Sequence, residues 1–379
     1  IADMRYGFID KLCGDAVVKP LENKQHQRSV RIDNILTSKY FAIPIFLAIM
    51  GVVFYLTFGL IGSFLSDLLA AGIAWVSDTV GAALTAGGFN PVMISLVVDG
   101  IFAGVGSVLS FIPLIVVLFF FLSLLEDSGY MARAALIMDK AMRKMGLSGK
   151  AFIPLIVGFG CSVPAIMTAR TLESEKDRKL TALIVPLMSC NARLPVYALF
   201  AAVFFPGKET TVVFSLYLLG ILMAFIIGIL FKSTIFKKDE EPFIIELPEY
   251  KAPELKNLLN HTWDKGKGFL KKAGTLIFSV SVVIWLLSSF NTTGFTEINN
   301  SFLAAIGRVI SPVFAPLGFG TWQNAVSLLT GLLAKEVILG SMGVIYGGNL
   351  ESELAVSFTQ VSAYAFLVFV LSYTPCVSV

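Results

Sequence analysis

Three cysteines stand where an apolar chain is interrupted: Cys161 in GFGCSVPAIMTAR, Cys190 in MSCNARLP and Cys376 in TPCVS. Thiolate is a soft ligand suited to Fe(II), Cu(I) or Zn(II), whereas Na(I), Mg(II) and Ca(II) prefer oxygen. Three such ligands in three broken apolar segments point to a path for a transition metal. Taken singly, each is equally well read as a small buried hydrophobe. Cys13, in a polar arm, carries only the bland reading. No CxxC pair and no paired zinc-knuckle spacing occurs, so neither a disulfide framework nor a structural zinc site is indicated.

Charged groups add to this set. Lys335 and Glu336 sit side by side within the apolar TWQNAVSLLTGLLAKEVILGSMGVIYGG, residues 321–348. An ionisable group in such a place costs roughly 2.5 to 3.5 kcal/mol on insertion scales, so the expectation is an interior role, or a mutual ion pair that steadies the segment. Arg193 is expected to meet a carboxylate or hairpin carbonyls. Glu126 and Asp127, at a helix end by the membrane face, read either as the mouth of a metal path or as the N-terminal cap of the next helix. Gly158, Gly160 and Pro164 are expected to break the segment around Cys161, and Pro375 the one before Cys376. His26 and His261 both fall in polar segments, which excludes a histidine metal site in the membrane. No GxxxxGK[ST] loop occurs, so this chain holds no nucleotide through a P-loop.

The elements that must position these residues follow from hydropathy. Of 379 residues, 56% are hydrophobic and 15% charged, with several runs near the ~20 residues that span a bilayer: an integral membrane protein. The net charge is only +3 and its basic residues gather between apolar runs, which suits membrane orientation and not nucleic-acid binding. The start lacks a signal-peptide pattern and the end stops inside an apolar run, so a fragment is expected at both ends.

Residues 1–40 are a basic, cytoplasmic arm. Residues 41–106 hold a first membrane helix, about 41–65, and then outer-face helices or partial insertions. The first repeat covers 107–231, with a helix near 108–125, an amphipathic segment at 126–150, a hairpin at 151–168 and helices near 180–205 and 212–231. A basic cytoplasmic loop occupies 232–272. The second repeat covers 273–379, with a helix at 275–290, a hairpin at 321–348 and a last helix from about 354. Basic flanks on both sides of the first hairpin imply re-entry from the cytoplasm, and Lys- and Arg-poor flanks of the second imply re-entry from outside. GLSGKAFIPLIVGFGCS and GFGTWQNAVSLLTGLLA are weakly alike, and opposite entry sides make them the inverted repeats of many secondary transporters.

The motifs LEDSGYMARAALIMDKAMRKMGLSGKAFIPLIVGFGCSVPAIMTAR, DRKLTALIVPLMSCNARLPVYALFAAVFFPG, IELPEYKAPE and GLLAKEVILGSMGVIYG together resemble the membrane part of the bacterial ferrous iron transport protein B (FeoB) family. The resemblance implies an all-α, polytopic helical bundle with two inverted gate-type repeats containing re-entrant or broken helices. It implies an inner-membrane Fe(II) importer, Fe(II) being substrate and no cofactor being permanently bound. In the family a GTP- and Mg-binding G domain and a helical spacer precede this region, and MRYGFID resembles the end of that spacer. Enzymatic GTP hydrolysis therefore belongs to the full-length protein, since this chain carries no catalytic motif. The family's pore cysteines match Cys161, Cys190 and Cys376, and its LAKE motif matches Leu333 to Glu336. Implied partners are the bilayer, the chain's own G domain, small accessory Feo proteins and further copies of itself, with no nucleic acid. Other readings are a transporter of an organic solute such as a nucleoside, or a membrane thiol redox enzyme or sensor, which would need a close cysteine pair that is absent in sequence.

Overall fold

Apolar runs punctuated by glycine and proline fold here into helices and almost nothing else. The computed structural model describes residues 24–38, 41–95, 97–98, 102–235, 250–251, 253–271, 275–292, 294–296, 298–332, 335, 337–346, 350–373 and 376. Cys13, Glu336 and Pro375 lie outside the described residues, as does 236–249 of the basic loop.

The arm contributes α1 (Lys24–Leu36). Next, α2 (Ala42–Phe54) runs through a π turn at Tyr55–Leu60 into α3 (Ile61–Ala86), one apolar helix of 45 residues. The expected span of about 41–65 is thus too short. Helix continues because Gly62 tolerates the wide turn, where a side chain would strike the Thr57 carbonyl. Beyond it the hydroxyls of Ser63, Thr79 and Thr85 each bond the carbonyl four residues back, so this weakly apolar stretch satisfies itself internally. After α4 (Pro91–Ser95), α5 (Ala103–Asp127) lies along α3, and Ser66 donates to the Ser110 carbonyl.

The first repeat then turns by 83° into α6 (Tyr130–Lys144). Its buried residues include Met131, Ala135 and Met142, on the face expected from the periodicity. Gly146, at φ 80°, ends it in the left-handed region that only glycine occupies cheaply. The hairpin α7 (Phe152–Gly160) and α8 (Ser162–Ala169) follows. Then come α9 (Glu175–Ile184), two 3-10 turns at 185–187 and 191–193, and α10 (Leu194–Phe204).

The second repeat reuses this order. After α11 (Glu209–Thr234), α12 (Leu255–Phe269), α13 (Thr275–Ser289) and a small hairpin pairing Phe290 with Phe295, α14 (Phe302–Phe314) is amphipathic. It ends at Gly318, φ 83°, and the chain bends by 103° into α15 (Trp322–Thr330). The hairpin closes with α16 (Val337–Tyr346), and α17 (Leu350–Ser357) turns by 105° into α18 (Gln360–Ser372). Helices α7 and α15, the leading arms of the two hairpins, are both nine residues long.

Two apolar cores result. One gathers α2, α5–α9 and Ala224, and the other gathers α10, α15–α18, Val212 and Leu216. Helix α11 serves both, burying every fourth residue: Val212, Leu216, Gly220, Ala224 and Gly228. Small residues at this spacing let neighbouring backbone come close. A Cβ at Gly220 would stand 2.7 Å from the Leu187 carbonyl and 3.2 Å from Leu371.

Candidate functional site

Cys161 is itself the break of the first hairpin. It alone is extended (φ −151°, ψ 129°), closing α7 and opening α8, with its N–H on the Val157 carbonyl at 2.9 Å and its carbonyl accepting from Ala165 at 3.3 Å. Pro164 does not make this break. It occupies the first turn of α8, where its missing N–H would have no intrahelical partner, as Pro154 does in α7. Gly158 and Gly160 are helical too, which corrects the expectation of an open path through them. Their role is close approach: a Cβ at Gly158 would lie 3.2 Å from Met188, and one at Gly160 would lie 3.3 Å from Phe58. Beside the thiol, the Ser162 hydroxyl is buried without a hydrogen-bond partner.

In the second hairpin the break between α15 and α16 holds a lysine where the first holds a thiol. Lys335 is 1% exposed, with Nζ 3.4 Å from the Val370 carbonyl and 2.9 Å from the centre of the Tyr373 ring. Tyr373 follows α18 and donates from its hydroxyl to the Leu328 carbonyl of α15 at 3.4 Å. The break fits tightly, since a Cβ at Gly331 would come within 2.6 Å of the Tyr373 oxygen and would strike Ile338.

A third interruption separates α9 from α10 and contains Cys190, buried beside Ser189 and Tyr197. Arg193, also fully buried, donates from Nη1 to the Met188 carbonyl at 3.2 Å, and from Nη2 to the carbonyls of Pro186 at 3.0 Å and Tyr373 at 3.5 Å. Its Nε is buried with no hydrogen-bond partner. The carbonyls it holds belong to neither hairpin, which departs from the expected pairing, and the guanidinium ties the break after α9 to the end of α18.

These features converge. Arg193 and Lys335 meet at Tyr373, the first on its carbonyl at 3.5 Å and the second over its ring at 2.9 Å. Cys190 follows α9, capped by Ser174, and Cys376 follows α18, capped by Thr359. Cys161 belongs to the first core instead, next to Phe159, whose ring stacks on Tyr217 at 6.2 Å. Among the described residues no three His, Cys, Asp or Glu side chains form a ready metal cluster. The helix-end carbonyls of Pro186, Met188, Val370 and Tyr373 are held here by Arg193 and Lys335.

Glu126 and Asp127 are elsewhere. They face α12, with Glu126 bonded to Lys265 at 3.0 Å and Asp127 3.9 Å from His261 Nδ1. The cap position of α6 is Gly129, without a side-chain hydrogen bond, so the capping reading of these carboxylates does not hold.

One constellation had no local signal in the sequence. Arg133 of α6, 1% exposed, forms a two-pronged pair with Asp33 of α1 at 2.8 and 3.1 Å. Tyr250 lays its ring 4.0 Å from the guanidinium and donates to Asp33 at 2.9 Å. Burial alone would raise the Asp33 carboxyl, but hydrogen bonds from Arg133 and Tyr250 and the Arg133 charge outweigh it and hold it below its ordinary range. Burial, and then Asp33, push the Tyr250 phenol up.

Comparison with known proteins adds a separate line. A family profile described as "Gate: Nucleoside recognition" matches residues 108–204 and 270–379, and one described as "Ferrous iron transport protein B C terminus" matches 213–265. The chain is 53% identical to "Fe(2+) transporter FeoB" of Staphylococcus aureus, over 99% of its own length and 57% of that protein's. It is 41% identical to the proteins of that name from Methanocaldococcus jannaschii (100% of this chain, 57% of that protein) and Salmonella typhimurium (93% and 46%). In Porphyromonas gingivalis a 40% identical relative, matched over 100% of this chain and 50% of its own length, is named a fusion of Fe(2+) transport protein A with FeoB. The chain spans about half the length of the curated relatives it matches. No solved structure matches.

Proposed function

Because this chain belongs to the ferrous iron transport protein B family, we propose that it is the membrane-embedded part of an inner-membrane importer of ferrous iron, its N-terminal arm in the cytoplasm and its two hairpins entering from opposite faces. The observation that carries this reading is the meeting of two helix ends at Tyr373, where Arg193 and Lys335 hold the carbonyls of Pro186, Met188, Tyr373 and Val370, with Cys190 buried in the first of these interruptions. Fe(II) that sheds water there finds helix-end carbonyls and soft thiols in place of its hydration shell. Cys161 and Glu336 extend the donor set along the path. Glu126 and Asp127, ion-paired at the α5 end, lie at its cytoplasmic mouth.

In this reading GTP and Mg are bound by a domain outside this chain, whose contribution is the energy or timing of gating. Within the chain, α1 would carry that signal through Asp33 and Arg133 to α6, which packs directly on the first hairpin. Small accessory Feo proteins and further copies of the chain are the expected partners.

Anaerobic Fe(II) uptake by full-length protein in vesicles tests the path. The Cys190→Ser, Cys376→Ser double variant is expected to lower uptake about tenfold or more, each replaced thiol contributing on the order of 1 kcal/mol. If the double variant, and then one also lacking Cys161, transports at the wild-type rate while folded, the thiol path is wrong and an organic solute becomes the better substrate.

A further inference from the structure

The first hairpin leaves a space at its open end that its own side chains do not fill. A cavity of about 110 Å³ lies between the end of α5, the start of α6, both ends of the hairpin and α12. Its floor is apolar, formed by Phe119, Leu122, Val157 and Leu172. Its rim carries three charged groups from three places in the chain: Glu126 at the end of α5, Lys150 in the turn before α7 and Lys265 of α12. Helix packing brings them together. Helix α12 runs against α5, where a Cβ at Gly266 would stand 3.4 Å from Val116, and this sets the neighbouring Lys265 Nζ 3.4 Å from Ser123 and 3.0 Å from Glu126.

Two of the three rim charges are positive, so the rim has a surplus cation. Each ammonium is paired, Lys150 with Glu173 at 2.6 Å and Lys265 with Glu126 at 3.0 Å, but the two carboxylates stand in water, 79% and 64% exposed. Ion pairs so exposed exchange cheaply. A lysine ammonium is a compact charge on a flexible stem, free to turn from a carboxylate at the rim to a stronger anion over the cavity. The occupant is narrowed by this chemistry. A metal cation would meet two ammoniums. A wholly polar anion satisfies the rim and leaves the apolar floor against water, and a neutral acyl chain satisfies the floor alone. An anionic amphiphile satisfies both, and the bilayer supplies one in quantity at the basic rims of pockets between membrane helices.

We propose that this cavity binds an anionic phospholipid, its phosphate taken by Lys150 and Lys265 and its glycerol or first acyl carbons resting on the floor. The site stands apart from the transport reading, since its ligand is lipid whatever the solute. Drawing Lys265 onto phosphate releases Glu126 to water, and the lipid then ties α12 to the first hairpin through a group that belongs to neither.

The test uses full-length protein in a neutral maltoside detergent and follows the thermal unfolding midpoint as dioctanoyl phosphatidylglycerol, dioctanoyl phosphatidylcholine or inorganic phosphate is added. Phosphatidylglycerol is expected to raise the midpoint saturably, with phosphatidylcholine needing about tenfold more and phosphate alone giving no shift. Lys150→Gln and Lys265→Gln should each raise the half-saturating phosphatidylglycerol about tenfold, the worth of one charge-assisted hydrogen bond. Glu126→Gln should lower it about threefold, because a competitor for Lys265 and a like charge beside the phosphate both disappear. A merely structural role for these residues would not tighten binding in any variant. Equal response to the two lipids, or unchanged half-saturation in the folded lysine variants, would overturn the site. A response to phosphate alone that equals the response to phosphatidylglycerol would overturn the lipid as its ligand. If a lysine variant does not fold, Glu126→Gln decides, since half-saturation equal to or above that of wild type contradicts the proposal. Fe(II) uptake enters none of these arms, so failure of the transport reading leaves their outcome untouched.

Discussion

The two hairpins share a plan and differ in what fills it. The first packs Phe152, Leu155, Val157 and Ala165 into an apolar core and breaks at one extended residue, a thiol. The second is seamed with buried polar groups: Asn324 accepts from Tyr346 at 2.9 Å, and Thr330 and Ser341 lie 2.7 Å apart. Its break holds a buried lysine, Lys335. The leading amphipathic helices differ likewise. Arg133 of α6 is buried and pinned to the N-terminal arm, whereas Arg308 of α14 donates to the exposed Asn299 carbonyl at 2.9 Å and lies 5.6 Å from the Trp322 ring. The first is tied to the N-terminal arm through Arg133, whereas Arg308 bonds only within its own half among the described residues. A shared framework thus leaves the chemistry at each break free to diverge.

The largest effect should come from that difference in anchoring. Arg133→Ala removes one partner of a buried pair and is expected to cost about 3–5 kcal/mol, against less than about 1 kcal/mol for Arg308→Ala, read by thermal unfolding in detergent. Protease cutting of α1 should rise in the first variant only. Because the folded Asp33 carboxyl is held low, its contribution is present above the ordinary carboxylate pKa and is lost only as pH falls through the lower folded value. Arm release in the wild type should therefore begin below about pH 4. Equal costs for the two arginines would erase the contrast.

Smaller substitutions compare the breaks themselves. Gly331→Ala must push Ile338 and Tyr373 aside and is expected to cost about 1–3 kcal/mol. Gly158→Ala, whose Cβ would lie 3.2 Å from Met188, gains up to about 1 kcal/mol of helix propensity against that contact and should be close to neutral. Reversed magnitudes in unfolding experiments would mean that the first break is the tighter. The smallest difference concerns the caps. Thr359 and Ser362 bond each other's backbone reciprocally, while Ser174 accepts one bond at 3.4 Å from Asp177. Thr359→Ala should cost about 1–2 kcal/mol and Ser174→Ala about 0.5–1 kcal/mol, measured the same way.

Much of this was readable in the letters. Apolar runs marked the helices, the 126–150 periodicity marked the buried face of α6, and the two hairpins broke in the segments holding Cys161 and Lys335. Local signals misplaced the cause of the first break: proline and glycine are breakers on average, yet Pro154 and Pro164 sit in first turns, where they are harmless, and Gly158 and Gly160 are needed for packing. The length of α2–α3 was hidden because hydroxyl groups lowered the hydropathy without ending the helix. The pairing of Asp33 with Arg133 and Tyr250 was out of reach in principle, since nothing in periodicity or spacing relates residues so distant in the chain. The same holds for Arg193 and Lys335: each was singled out alone, and only the fold brings both to Tyr373.

Gly220 of α11 touches the carbonyl of Leu187 from one repeat and the side chain of Leu371 from the other. A single missing methyl thus acts as the spacer of the whole assembly. In evolutionary terms it has little freedom to drift, since an enlargement would press on both halves together, whereas a thiol or a lysine at a break can be exchanged in one half alone.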